Sequence, residues 1–249
     1  LKVVVPTFST KTIQQSTPIP GASNVITVTL SANYHLADGS LVTITGLSGS
    51  QTQSSTSFSV TSTAKDSSTD RIGNTANWDN AGSLVLTAQN GGIESADFEL
   101  EFTLQNPGNS QSSPQVRIQA SIFGGGSQIG SIAIANMTKV GTALLGVPHG
   151  ANPLRVVVPD FDVKTIRQSN PASNTSNKVT VTLDTNYDLG VGSTVTISGL
   201  TGTSGPSATN ISIATHYSTK IFGTSAAWNQ TTGTILLQAV SNMTSSDVL

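Results

Sequence analysis

The chain has 249 residues and a formal net charge of −2, and only 10% of its residues are charged. No cluster of Lys and Arg occurs along it, so we expect neither a nucleic-acid partner nor an anionic membrane surface. The lack of cysteine excludes disulfides, thiol catalysis and Cys-ligated metals. No apolar run approaches the roughly 20 residues of a membrane span, and a Ser-, Thr-, Asn- and Gly-rich composition predicts an extracellular or cell-surface protein.

Residues 1–122 are predicted to form a first β-sandwich. In VITVTL, Ile26, Val28 and Leu30 alternate with threonines, which is the period of a strand with one buried face. The segments LVTITGL, FSV, SLVLTA, FELEFTLQN and QVRIQASI continue this pattern. Turn-forming clusters such as TPIPGASN, DNAGS and NPGNSQSSP separate them. The pattern predicts an all-β fold with about eight or nine strands in an Ig-like sandwich.

Residues 123–153 are predicted to be a connector. They begin with the glycine-rich stretch FGGGSQIG, which is typical of a flexible hinge. The strand-like residues that follow the glycines could also be donated as a strand to a neighbouring sandwich. The connector leads directly into a repetition of the opening phrase of the chain.

Residues 154–249 repeat most of the first sandwich. The opening LKVVVPTFSTKTIQQS returns as LRVVVPDFDVKTIRQS, and Val3 corresponds to Val156, an offset of 153 residues (156 − 3). Trp78 returns as Trp228 after a small slip in the offset. This second copy contains no counterpart of the segment from about residue 101 to residue 153. We therefore predict a second, incomplete sandwich, whose last strands come either from continuation of the polypeptide or from another chain by strand addition.

No catalytic or metal-binding pattern is recognisable, and the chain is predicted not to be an enzyme and to need no cofactor. The three histidines, His35, His149 and His216, lack partners at metal or triad spacing. Asp160 and Asp162 in the DFD stretch could contribute to a weak calcium site, but a solvated edge is the favoured interpretation. The matched acids Asp97 and Asp247 are each isolated, as turn-forming residues often are.

Two kinds of surface site are predicted. Four aromatic residues at matched positions of the two copies are candidate sugar-stacking platforms, although aromatic residues that cover the core would show the same pattern: Tyr34, Trp78, Tyr187 and Trp228. Five Asn-x-Ser/Thr sequons are candidate N-glycosylation sites, in a number that chance alone would produce: Asn136, Asn174, Asn210, Asn229 and Asn242.

The stretch KTIQQSTPIPGASNVITVTLSANYHLADGSLVTITGLSGSQT, with NWDNAGSLVLTA and NPGNSQSSPQVRIQAS, resembles repeats in very large secreted proteins of unicellular algae and other protists. The resemblance covers nearly all of the first copy and most of the second. It implies tandem arrays on the cell surface or in extracellular fibres, and it brings no catalytic residues.

The sequence thus leads to two hypotheses about function. The first is a structural subunit of an extracellular filament or cell-surface array, in which copies of the protein assemble head to tail through shared or complemented β-strands. The alternative is a carbohydrate-binding or adhesive surface module. The two differ in partner, since the first binds further copies of itself and the second binds glycans.

Overall fold

The computed structural model describes residues 3–64, 71–93, 98–214 and 221–245, and these residues contain strands, turns and loops but no α-helix. The prediction of an all-β fold is confirmed. The chain divides into two compact units, Leu1–Val158 and Pro159–Leu249, here called unit 1 and unit 2. The division falls four residues after Leu154, where the sequence repeat begins (158 − 154).

Unit 1 is built from two sheets in a sandwich, and their strands are antiparallel except for the short strand at one edge. Its strands are β1 (Phe8–Gln15), β2 (Ser23–Ala32), β3 (Leu41–Thr45), β4 (Ser55–Ser59), β5 (Thr61–Ala64), β6 (Thr75–Asp79), β7 (Ser83–Thr87), β8 (Phe98–Gln105), β9 (Arg117–Gly124), β10 (Ser127–Asn136) and β11 (Thr138–Lys139). One sheet has the order β11-β1-β2-β8-β5 and the other β10-β9-β3-β7-β6-β4, and the short strand β11 is parallel to β1. The Ig-like identity of this sandwich stays a prediction.

Alternating residues of the two sheets form the core of unit 1. In β8 every second residue is buried, from Phe98 to Leu104, and the residues between them face solvent. Val28 of one sheet and Ile44 of the other are both fully buried in the same apolar cluster. Complete burial of each such side chain stabilises the fold by roughly 1.5–3 kcal/mol. In β2 and β3, the threonines that alternate with these buried residues lie on the solvent-facing side of the sheet, as the sequence pattern predicts.

Unit 2 repeats the first part of this arrangement. Its strands are β12 (Phe161–Gln168), β13 (Val179–Thr185), β14 (Thr194–Ile197), β15 (Ala208–Ser212), β16 (Ser225–Asn229) and β17 (Thr234–Gln238). They form a two-stranded sheet, β12-β13, and a four-stranded sheet, β14-β17-β16-β15. Even the irregularity of the first hairpin recurs, because the register shifts between Phe8 and Thr10 in β1 and between Phe161 and Val163 in β12.

The two units differ where β8 and β9 lie in unit 1. There, β2 pairs with β8 over its length, from Ser23 opposite Gln105 to Leu30 opposite Phe98, and β3 pairs with β9. In the described part of unit 2, β13 pairs only with β12, and β14 pairs only with β17. Each sheet of unit 2 therefore has one edge at which unit 1 carries a further strand.

A glycine after the third strand of each copy shows the same difference. Gly46 has a positive φ of 87°, and a Cβ there would collide with the carbonyl oxygen of Gln115, in the loop before β9. Its counterpart Gly199 has a φ of 85°, but no atom of the described residues lies within 4 Å of a Cβ built there. Gly199 thus has the same backbone conformation as Gly46. Among the described residues, however, nothing in unit 2 takes the place of the loop before β9.

Candidate functional site

The open edges of β13 and β14 form the candidate site, which we call the unit 2 edge site. An unpaired strand edge presents a row of N–H and C=O groups that can pair with another strand. In unit 1 the corresponding edges of β2 and β3 are occupied by β8 and β9. The site is therefore defined by comparison of two copies of one sequence pattern within the same chain.

Apolar residues along this site are poorly covered. Ile26 of β2 is fully buried opposite Phe102 of β8, whereas its counterpart Val179 in β13 is 42% exposed. On the neighbouring strand, Ile13 is fully buried and its counterpart Ile166 is 54% exposed. Exposed apolar surface next to an unpaired edge favours association with a further strand.

A buried amide network lies at one end of the sandwich in unit 1. Asn24 Nδ2 donates to Gln15 Oε1 and to Asn106 Oδ1, both at 2.8 Å. Asn106 follows β8 and donates from Nδ2 to the carbonyl oxygens of Thr17 and Ile19, at 3.1 and 2.9 Å. All three amide side chains are buried, and such groups are tolerated in a core because they are hydrogen-bonded.

Unit 2 retains two of these three residues in the same geometry. Asn177 Nδ2 donates to Gln168 Oε1 at 2.8 Å, and Asn177 Oδ1 accepts the backbone N–H of Ser169 at 3.2 Å. The matching N–H of Ser16 in unit 1 lies 3.2 Å from Asn24 Oδ1. Gln168 and Asn177 are exposed, whereas Gln15 and Asn24 are buried. The residue that completes the network in unit 1 follows β8, the strand without a counterpart in the described part of unit 2.

The amide network was missed from the sequence, although a signal was present. Gln15 and Gln168, and likewise Asn24 and Asn177, are separated by the same offset of 153 residues (168 − 15 and 177 − 24). These residues lie among other polar side chains near turns, where Asn is common because its side chain can hydrogen-bond to the nearby backbone. Their pairing across the hairpin becomes visible only in the fold.

Charged groups at the start of β12 are local and solvated. Asp160 Oδ1 accepts Lys164 Nζ at 3.0 Å and the backbone N–H of Phe161 at 2.7 Å. The hydrogen bond from Lys164 lowers the pKa of Asp160 below its ordinary value, and the N–H of Phe161 adds to this.

In unit 1, Lys139 Nζ donates to the carbonyl of Ser113 at 3.1 Å, and partial burial lowers the pKa of Lys139.

The histidines and acids considered from the sequence are scattered. His35 Nε2 lies 2.9 Å from the carbonyl oxygen of Gly91, and His149 Nδ1 lies 3.0 Å from that of Gly141. Asp162 is exposed on β12. His216, Asp97 and Asp247 lie outside the described residues. In the part of the chain that the structure describes, no three His, Cys, Asp or Glu side chains converge on a point where a metal ion could bind.

The four candidate aromatic residues have different environments. Trp78 is 1% exposed and donates from Nε1 to the carbonyl of Thr52, and Tyr187 is 6% exposed. Because their rings are covered, Trp78 and Tyr187 offer no open face for a sugar in this structure. Tyr34 is 39% exposed. Trp228 is half-buried and lines a surface depression together with Ser207.

All five sequon asparagines are exposed. Asn136 ends β10, Asn210 lies in β15 and Asn229 ends β16, while the remaining two lie in loops. Asn174 has a positive φ of 56° in the loop between β12 and β13. Asn242 accepts the backbone N–H of Val191 at 3.2 Å. Their exposure is compatible with glycan attachment, and glycosylation itself stays a prediction.

No helix in the described residues has the length and apolar character needed to cross a bilayer. The chain matches no protein-family model and no curated protein sequence.

Proposed function

We propose that this chain is a structural subunit of an extracellular filament or cell-surface array, whose sandwiches join head to tail through shared or complemented β-strands. The observation that supports this most directly is the unit 2 edge site, where β13 and β14 each have an unpaired edge among the described residues. Strand addition to such an edge gives affinity through main-chain hydrogen bonds and specificity through alternate side chains.

The donor has a definite chemistry if it resembles the strands of unit 1. It supplies one strand to each sheet: a β8-like strand beside β13 and a β9-like strand beside β14. The β8-like strand carries apolar residues at every second position, as Phe98 and Leu100 are placed in unit 1. The residue that follows this strand is an amide equivalent to Asn106, which can complete the network of Gln168 and Asn177. Either the continuing polypeptide or a neighbouring chain can provide such strands.

A peptide experiment tests the proposal on the intact chain. A peptide of residues 98–122 contains β8 and most of β9, and unit 1 already holds its own copies of these strands. We therefore expect the peptide to bind unit 2 and to slow amide hydrogen exchange in β13 and β14. The core-facing substitution Leu100→Asp in the peptide should abolish binding, since it places a charge at a buried position. The solvent-facing substitution Glu99→Gln is the matched control and should leave binding unchanged.

The complementary experiment changes the chain instead of the peptide. Val179→Asp should prevent binding, because the equivalent Ile26 lies opposite Phe102 of β8 in unit 1. Thr180→Ser, on the adjacent wet-face position, should have little effect. Residues 154–249 expressed alone should be unfolded or aggregated, and should fold when the peptide is added. A soluble, cooperatively unfolding monomer of residues 154–249 without peptide would contradict the proposal.

The carbohydrate-binding alternative rests on one observation. Trp228 lines its depression with Thr234, Leu236 and the sequon residue Asn229. A half-buried indole in a depression can stack on a sugar ring. A glycan array probed with the intact chain and with Trp228→Ala tests this directly. Binding that depends on Trp228 would favour the alternative, and an array without signal would remove it.

A further inference from the structure

The segment at the boundary of the two units pairs with the end of the unit 1 sandwich. Val156 and Gln111 exchange two backbone hydrogen bonds, with N–O distances of 2.9 and 2.8 Å. The N–H of Val157 donates to the carbonyl of Pro18 at 3.1 Å. Val156 is 1% exposed and Leu154 is fully buried. Residues 154–157, the docked segment, are therefore held against the sandwich by an isolated β-bridge at Val156 and by the backbone hydrogen bond of Val157.

Side-chain amides of unit 1 fasten the docked segment further. Gln15 Nε2 donates to the carbonyl of Arg155 at 2.8 Å, and Gln111 Nε2 donates to the carbonyl of Leu154 at 3.0 Å. Ser113 Oγ donates to the carbonyl of Pro153 at 2.7 Å. Together with Pro18, these groups form a binding site on unit 1, here called the acceptor. It hydrogen-bonds the backbone of LRVV and buries the side chains of Leu154 and Val156.

The opening of the chain carries nearly the same sequence in a different environment. The stretch LKVVVP of residues 1–6 differs from LRVVVP of residues 154–159 only in Lys2 for Arg155. Val3, the counterpart of Val156, is 79% exposed, and Val5 is 73% exposed. The acceptor of unit 1 is already occupied by the docked segment, so residues 3–5 have no access to it.

We propose that Val3 and Val4, the counterparts of Val156 and Val157, form a docking strand that pairs with another complete sandwich of the unit 1 type, at the positions of Gln111 and Pro18. We choose such a sandwich as the partner because the matching residues Val156 and Val157 pair with one in unit 1. The inference rests on the proposed function, because it names a further repeat as the partner. It assigns one of the contacts between repeats in the proposed array. It uses a different surface from the unit 2 edge site.

The test frees the acceptor and supplies the docking strand as a peptide. In the full chain, Leu154→Gly together with Val156→Gly removes the two buried side chains of the docked segment. A fluorescent peptide LKVVVPTF, residues 1–8, should then bind the variant saturably in an anisotropy titration. The wild-type chain should not bind at micromolar peptide, because its own segment is tethered at an effective concentration of about millimolar.

Two peptide variants distinguish docking from nonspecific adhesion. Val3→Asp should weaken binding at least about tenfold, because the equivalent Val156 is buried and a buried charge is unfavourable. Val5→Thr is the matched control, since the equivalent Val158 is 46% exposed, and it should bind within about twofold of the original peptide. Equal binding of the original and Val3→Asp peptides, or binding to phosphatidylcholine vesicles but not to the variant chain, would overturn the proposal.

If the double variant does not fold, a second measurement tests docking on the wild-type chain. Millimolar LKVVVPTF added to the wild-type chain should compete with the docked segment and accelerate hydrogen exchange at the amides of Val156 and Val157. The Val3→Asp peptide should not, and no acceleration by either peptide would count against docking. Binding of the 98–122 peptide to unit 2 is independent of this result, so each proposal can fail separately.

Discussion

Ile13 and Ile166 are counterparts in the two copies, within KTIQQ and KTIRQ, yet Ile13 is fully buried and Ile166 is 54% exposed. Truncation should therefore have unequal effects. Ile13→Ala should destabilise unit 1 by about 2–5 kcal/mol, through lost burial and a residual cavity. Ile166→Ala should change the stability of unit 2 by no more than about 0.5 kcal/mol. Peptide-resolved hydrogen exchange under native conditions measures both, and equal effects would contradict the difference in burial.

The difference in burial between Ile13 and Ile166 could not be predicted from the local sequence, which is nearly identical around the two residues. The alternation of VITVTL and FELEFTLQN, and the turn clusters between them, correctly predicted the all-β fold. The offset between Val3 and Val156 predicted the repetition that β1 and β12 display. Burial of Ile13, however, depends on residues far away along the chain. The amide network and the acceptor for residues 154–157 likewise arise from contacts between distant segments, such as Gln15 with Arg155.

The amide network offers a second matched pair. Asn24→Ala should destabilise unit 1 by roughly 1–3 kcal/mol, because it leaves the buried oxygens of Gln15 and Asn106 without their donor. Asn177→Ala, in the exposed counterpart, should cost no more than about 0.5 kcal/mol because water replaces the lost bond. Urea unfolding reports each effect separately, by Trp78 fluorescence in a Trp228→Phe background for unit 1 and by Trp228 fluorescence in a Trp78→Phe background for unit 2. A smaller effect for Asn24 than for Asn177 would refute the structural role of the network.

The acid side of the stability profile of unit 2 should depend on Asp160. Its pKa is lowered in the folded state, so the ionised carboxylate contributes stability above its unfolded pKa. This contribution is lost as pH falls through the lowered folded value. Asp160→Asn should therefore reduce the loss of protection in β12 on acidification below about pH 4. High salt should reduce the difference, since the pair with Lys164 is exposed; identical acid profiles of variant and wild type would argue against it.

The two tryptophans should differ in access to solvent. Trp78 is 1% exposed, whereas Trp228 is half-buried beside an open depression. Acrylamide should quench Trp228 more strongly than Trp78, and the emission of Trp228 should lie at longer wavelength. The single variants Trp78→Phe and Trp228→Phe isolate each signal. Stronger quenching of Trp78 would show that its environment is more open than the structure indicates.

Glycosylation can be tested by mass. If the protein is secreted by a eukaryote, we expect glycan on at least some of the five exposed sequons, including Asn174 in the turn between β12 and β13. Intact mass should fall after treatment with an N-glycosidase, and Asn174→Gln should remove one glycan mass. An unchanged mass after the enzyme treatment would refute this expectation.

The bond from Gln15 to Arg155 has a consequence for biosynthesis. Gln15 belongs to the first strand of unit 1, and its amide also donates to the carbonyl of Gly150. These contacts span 135 and 140 residues, and the contact with Arg155 cannot form until the first residues of the next repeat have left the ribosome. Long-range contacts of this kind slow folding. A chain built of such repeats is therefore expected to mature in one direction, from the N-terminus onward, each sandwich being completed only when its successor has begun to emerge.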